Sequence, residues 1–93
     1  MQSTSNITQR DATIVNELGL HARAAAKLAK TAHQASHDVW LEFGSERVDA
    51  KQVIDILTLA VAKGDRVTVR IEQAADADVL IRIIELFDNG FGE

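Results

Sequence analysis

The sequence predicts an α+β fold, an open two-layer sandwich of four strands and three helices in the order βαββαβα. Three observations carry that expectation. Four short segments alternate apolar and polar residues with a period of two. Two longer segments place apolar residues at i, i+3, i+4 and i+7. The chain of 93 residues is long enough for one core and too short for a second. Strands with one apolar face cannot leave it in water, so helices must cover that face while the other stays solvated.

Residues 1–10, MQSTSNITQR, are rich in Ser, Thr, Gln and Asn and read as a flexible tail, leaving 11–93 as a single domain. From Asp11 to Leu18 the chain alternates, with Ala12 and Ile14 against Thr13 and Val15, and this first strand stops at Gly19. From His21 the period changes. Ala25, Leu28, Ala29 and Ala32 form one stripe, with Lys27, Lys30, Thr31 and Gln34 outside it, which makes an amphipathic helix. Val39, Leu41 and Phe43 then oppose Asp38, Trp40 and Glu42 in a second strand, and the turn at Gly44-Ser45-Glu46 leads into a short Arg47–Ala50 strand that completes a hairpin. Lys51 to Gly64 holds a helix of about two turns with Gly64 as its stop signal. Val67, Val69 and Ile71 alternate with Thr68, Arg70 and Glu72 in the last strand. Leu80, Ile83, Ile84 and Phe87 mark the final helix, which Asp76 or Asp78 can cap and Asn89-Gly90 can end. Trp40 is expected to be half-buried on its strand and Phe87 to sit in the core.

With 46% hydrophobic and 26% charged residues the composition is that of an ordinary globular protein. A net charge of −4 argues against nucleic acid as a partner. Cysteine is absent, which excludes a disulfide framework and thiol chemistry and suits a reducing compartment. No stretch approaches the roughly 20 apolar residues of a membrane span, and the first residues lack a signal-peptide core, so a cytoplasmic location without membrane insertion is expected. There is no Gly-rich phosphate loop, no Ser-His-Asp set and no metal-ligand spacing, so neither a cofactor nor a metal is expected.

One constellation stands out. His21 lies between Leu18-Gly19-Leu20 and the first turn of a helix, where several backbone N–H groups lack intrahelical partners and the helix dipole favours an anion. Arg23 adds a guanidinium that can pair with phosphate oxygens through two hydrogen bonds. A neutral imidazole is a nucleophile, and phosphoryl capture depends mostly on positioning and charge stabilisation. A plain capping or surface histidine has the same local sequence. His33 and His37 carry no such signature and read as solvated. Val53, Ile54 and Leu57 are more apolar than a two-turn helix can bury on one face, so they divide between core and an exposed partner surface. Lys27, Lys30 and Lys51 are either solvated charges or a cluster at the His21 end that steers an acidic partner.

The segment GLHARAAAKLAK, Gly19–Lys30, followed by VDAKQVIDILTLAVAKGDRVTV, Val48–Val69, resembles the HPr family, the histidine phosphocarriers of the bacterial phosphoenolpyruvate-dependent phosphotransferase system. The resemblance runs from about Ala12 to Glu93 and is carried by G-L-H-A-R together with the downstream A-K and K-G-D segments. NELG before His21 and the ending IIELFDNGFGE look more like the nitrogen-branch NPr type. The resemblance implies an HPr-like open-faced β-sandwich whose four-stranded antiparallel sheet is covered on one face. It implies that His21 is phosphorylated on a ring nitrogen by enzyme I and passes the group to an enzyme IIA protein, with Arg23 assisting transfer. It also implies a partner surface at Leu20, Ala22, Lys27, Lys51, Val53, Ile54 and Leu57. Such a carrier, expected to be a monomer, is consumed and regenerated in a relay and is not a self-sufficient enzyme; a regulatory module that binds targets without turning over phosphate is the alternative. Two positions depart from the family pattern. Ala24 stands where proline is usual, and Gln52 stands where some members carry a kinase-regulated serine, so that switch is expected to be missing.

Overall fold

Seven main elements follow one another in a computed structural model that describes residues 7–93. They are β1 (Gln9–Thr13), α1 (Ala22–Ala32), β2 (Val39–Phe43), β3 (Glu46–Asp49), α2 (Val53–Thr58), β4 (Arg66–Ile71) and α3 (Ala77–Asp88). The strands form one sheet in the spatial order β1-β4-β2-β3, with every neighbouring pair antiparallel. The predicted α+β class and element order are those observed.

Burial follows the two periods. Val67, Val69 and Ile71 of β4 and Val39 and Leu41 of β2 point into the core, while Thr68, Arg70 and Glu42 lie on the outer face. Ala25, Leu28, Ala29 and Ala32 of α1 are buried together with Ala24. Val79, Leu80, Ile83 and Phe87 of α3 complete the layer. The small side chains of α1 let that helix lie close to its neighbours, while α3 supplies the bulk. Trp40 is half-buried as expected; its Nε1–H donates to Glu72 at 2.6 Å and Arg47 stacks 5.2 Å from the ring centre.

Two boundaries differ from the sequence reading. Gln9 and Arg10, assigned to the tail, pair with Arg70 and Val69, and the β1 ladder ends at Thr13 rather than Leu18. This is an edge strand with only Ala12 turned inward, so its polar start carries no apolar signal. Residues 1–6 of the expected tail lie outside the described range. Inward alternation persists past the ladder through Ile14 and Asn16.

Asp76 does not cap its own helix with its side chain. Its carboxylate, on a residue 5% exposed, accepts the backbone N–H groups of Ser36 at 2.9 Å and His37 at 3.0 Å, with His37 Nδ1 3.6 Å away. It thereby ties the loop after α1 to the start of α3. The Ser36 N–H, opposed by burial and joined by His37, holds this carboxyl below the usual range.

A second tie fixes the loop ahead of α1. Leu20 N–H donates to Val61 O at 3.0 Å, and Gly19, at φ +66°, passes so close that a Cβ there would meet Val61 O at 2.5 Å. Only glycine fits this crossing.

Replacing the buried Asp76 with Ala removes the acceptor of two part-buried N–H groups and is expected to cost about 1–3 kcal/mol, read from the urea midpoint. Because the native carboxyl titrates below its unfolded value, its contribution is complete above the ordinary carboxylate range and is lost as pH falls through the lowered native value. Asp76→Asn should therefore show a shallower acid loss than the parent. Gly19→Ala should destabilise by at least about 2 kcal/mol, since a positive φ and a backbone clash add.

Candidate functional site

Three pieces of chain meet at the start of α1: the loop after β1, the first helical turn, and the segment after α3. His21 is the N-cap, in extended conformation, and the Ala25 N–H donates to its carbonyl at 2.8 Å to close the first turn. Its Nδ1 accepts the Arg23 N–H at 3.4 Å, a long bond, while Nε2 lies 2.5 Å from Glu93 Oε2. A neutral imidazole has one donor and one acceptor nitrogen. A carboxylate on Nε2 requires the proton there, which leaves the Nδ1 lone pair directed at the helix N-terminus. The ring remains 28% exposed and can be reached from solvent.

Around it lies an open cleft lined by Leu18, His21, Ala22, Arg23, Lys27, Gly92 and Glu93. Arg23 is exposed and has no ion pair among the described residues. Lys27 Nζ donates to Phe91 O at 2.6 Å. Asn16, 6% exposed, donates through Nδ2 to Gly19 O at 2.8 Å and to Glu93 Oε1 at 3.1 Å. The Glu93 carboxyl is held below its usual range: burial opposes this, but hydrogen bonds from His21 and Asn16 and the charges of His21 and Arg23 outweigh it. The arrangement combines a nucleophilic nitrogen, helix-end donors and an exposed cation, which is what capture of a small anion requires. Among the described residues no group of three or more His, Cys, Asp or Glu side chains gathers to hold a metal ion.

The structure brings together His21, Ala22, Arg23 and Lys27 of the expected site and separates others from it. Leu20 is 4% exposed, so its side chain belongs to the core and not to the exposed surface. Lys51 is at the opposite end of α1. His33 Nε2–H donates to Lys51 O at 3.0 Å, and Lys51 Nζ donates to Ala35 O at 3.3 Å. The 11 residues of α1 span roughly 16 Å. Lys30 lies in its last turn. Of the two readings for the lysines, a cluster at His21 reduces to Lys27, because α2 begins beside the C-terminal end of α1. Val53 and Leu57 are half-buried against the core, whereas Ile54 is 72% exposed. Gln52 is the exposed N-cap of α2, and Ala24 is fully buried in the first turn of α1. His33 and His37 are exposed, though both have partners.

Asn16, Leu18 and Glu93 are the residues the sequence reading missed. For Asn16 a signal existed, since the alternation of the first strand puts this amide on the inward face. For Glu93 there was none, because its contact with His21 spans 72 positions.

Comparison with known proteins agrees with this fold. A family described as the PTS HPr component phosphorylation site matches residues 8–89. The phosphocarrier protein HPr of Cupriavidus necator is 38% identical over 85 residues, covering 91% of this chain and 96% of its own. That of Pseudomonas putida is 36% identical over 85 residues, covering 90% and 94%. A crystal structure of HPr from Thermoanaerobacter tengcongensis superimposes with a TM-score of 0.87 at 31% identity, covering 94% of this chain and 98% of that one. With the fold, the G-L-H-A-R segment at the head of α1 and these likenesses over nearly its whole length, the chain belongs to the HPr family of phosphotransferase-system phosphocarriers.

Proposed function

We propose that Nδ1 of His21 accepts a phosphoryl group from enzyme I, which draws it from phosphoenolpyruvate, and that the group is then passed to an enzyme IIA protein. The observation that carries this reading is the division of labour on the imidazole: Nε2 is engaged by Glu93 while Nδ1 faces the first-turn donors of α1. As the Nδ1 lone pair forms the new N–P bond, the bond to the donor breaks and its electron pair leaves with the donor. The Arg23 N–H can then turn from Nδ1 to a phosphoryl oxygen. The Arg23 guanidinium, exposed and without an ion pair among the described residues, can swing over the same group and give it up again. Reversible transfer needs such moderate, adjustable stabilisation.

Partners dock across the exposed side of α1 and α2, with Ala22, Arg23 and Lys27 beside the reacting atom and Ile54 as the principal apolar contact. Leu18, also 72% exposed at the cleft edge, extends that apolar surface on the other side of His21. Val53 and Leu57 support Ile54 from below. Lys51 contributes at the far end of this surface rather than at His21. Ala24 restores an N–H that proline would remove, and Gln52 leaves no hydroxyl for a regulatory kinase. The protein works as a cytoplasmic monomer presenting one surface to successive partners; among the described residues no helix is long and apolar enough to cross a membrane. NELG and IIELFDNGFGE favour the nitrogen branch over sugar uptake.

Incubation with phosphoenolpyruvate and enzyme I of the sugar or nitrogen type should add one acid-labile phosphoryl group, seen by intact-protein mass spectrometry. None should appear in His21→Ala, and faster labelling by one enzyme I type assigns the branch. Absence of labelling with both, from folded protein, would favour a module that binds targets without turning over phosphate. Arg23→Ala should slow transfer by about 10²-fold, in line with the loss of one preorganised donor to a developing anion. Ile54→Glu should raise the KM for enzyme I at least about tenfold while moving stability by less than about 0.5 kcal/mol, because the side chain is mostly in solvent.

A further inference from the structure

We propose that Glu93 is a positioning residue for His21: its carboxylate holds the ring with the proton on Nε2 and faces the charge the ring acquires when Nδ1 takes the phosphoryl group. This deepens the phosphocarrier reading and rests on it. Before transfer the ring is neutral, with hydrogen on Nε2 and a lone pair on Nδ1. That pair forms the N–P bond to the incoming phosphoryl group, and the group's bond to its donor breaks with the electron pair leaving on the donor. The His21 ring is left cationic with its Nε2 proton in place, 2.5 Å from Glu93 Oε2. No proton need leave for the step to finish. When the group moves on, the N–P electron pair returns to Nδ1. A carboxylate behind an imidazole does the same for a histidine that acts as a base or binds a metal.

The carboxylate is held in place from three directions. Phe91, 1% exposed, packs its ring edge-on against Phe87 at a centroid distance of 5.0 Å, and does so in a left-handed conformation, φ +58°, that a bulky residue adopts only when its surroundings compel it. Lys27 secures the carbonyl of the same residue at 2.6 Å. Asn16 then fixes the second carboxylate oxygen, Oε1, through Nδ2. Its amide is committed to this role. Asn16 Oδ1 is buried with no partner among the described residues, and reversing the amide would set that oxygen against Gly19 O and Glu93 Oε1. A strained plug, a lysine clamp and an unsatisfied buried carbonyl all serve to place one carboxylate on one nitrogen.

The charged and titratable groups at the ring are Glu93 from the closing segment and Arg23 from α1, with Lys27 one step away on Phe91 O. Arg23 also acts on Glu93, so it helps keep the carboxylate ionised until an incoming phosphoryl group draws the guanidinium off.

The test uses the full chain, unphosphorylated, and nitrogen-15 and proton NMR of the His21 ring. The parent should show an Nε2–H resonance that exchanges slowly and an unprotonated Nδ1. In Glu93→Ala that resonance should vanish and the Nδ1–H population rise severalfold, with Glu93→Asp restoring part of the parent signature. Transfer from enzyme I should slow by about tenfold to a hundredfold in Glu93→Ala, and also in Glu93→Gln, which keeps an acceptor but loses the charge. The unfolding midpoint should be unchanged. An identical ring spectrum in parent and Glu93→Ala, or undiminished transfer in both variants, overturns the assignment. The NMR readout needs no phosphoryl donor, so a protein that shows the Glu93-dependent tautomer but is never phosphorylated would refute the carrier reading and leave the pair intact.

Discussion

The inner face of the sheet has to be covered, and the remaining architecture follows from how that is done. Val67, Val69 and Ile71 of β4 and Val39 and Leu41 of β2 form an apolar surface that α1 and α3 roof over. At about 25 cal/mol per Å² this burial is the dominant favourable term in a domain of such size. It also has geometric consequences. Alanines along the buried stripe of α1 let the helix sit low and pack against α3, so its N-terminus arrives at a defined place at the end of the sandwich. The outer face of the sheet carries a different kind of chemistry. Glu42 accepts from both Arg47 and Arg70, and its carboxyl lies below the usual range chiefly through the Arg70 hydrogen bond. Those solvated pairs add little stability. They keep the uncovered face polar.

From the same seam comes the separation between what supports the site and what acts in it. Gly19 crosses Val61 and Leu20 is buried, so the residues just before His21 are fixed by the core, while His21, Ala22 and Arg23 emerge from it. Phe91 repeats this on the other side of the cleft, with a buried aromatic placing a largely covered carboxylate two residues later. The backbone on either side of the cleft is thus placed by packing, and the short polar chain from Asn16 through Glu93 reaches only the His21 ring, which leaves Arg23 free to respond to an incoming anion. The protein's charge of −4 sits beside a local pair of cations, Arg23 and Lys27, at the one end where an anion must arrive.

Where the chain's own periodicity reported its environment, the reading held. The α1 stripe and the β4 alternation are consequences of an element having one wet and one dry side, and each repeats often enough to be seen. The failures share a cause. The resemblance put Leu20 on the partner surface, but its side chain is buried, since two neighbouring residues at a strand-to-helix corner point in different directions. Lys51 was set beside Lys27 by the resemblance and, as one of two readings, by charge, and the direction in which α2 runs beside α1 puts it at the other end. Asp76 or Asp78 was expected to cap α3; Asp76 does stand at the N-cap position, but its carboxylate goes to two N–H groups of the loop before β2.

The sequence by itself determined the strand and helix periods, the one-sided sheet, the position of His21 at a helix start and its pairing with Arg23. All of these are local, set by side-chain alternation and by the unsatisfied donors of a first helical turn. The tertiary structure alone decided which ring nitrogen faces a carboxylate, which lysine stands near it and how that carboxylate is held. Those depend on contacts between Asn16 and Glu93, 77 positions apart, and between Lys27 and Phe91, 64 apart. No local pattern encodes such contacts, because they exist only once the apolar seam has closed and brought the two ends of the domain to the same side of α1.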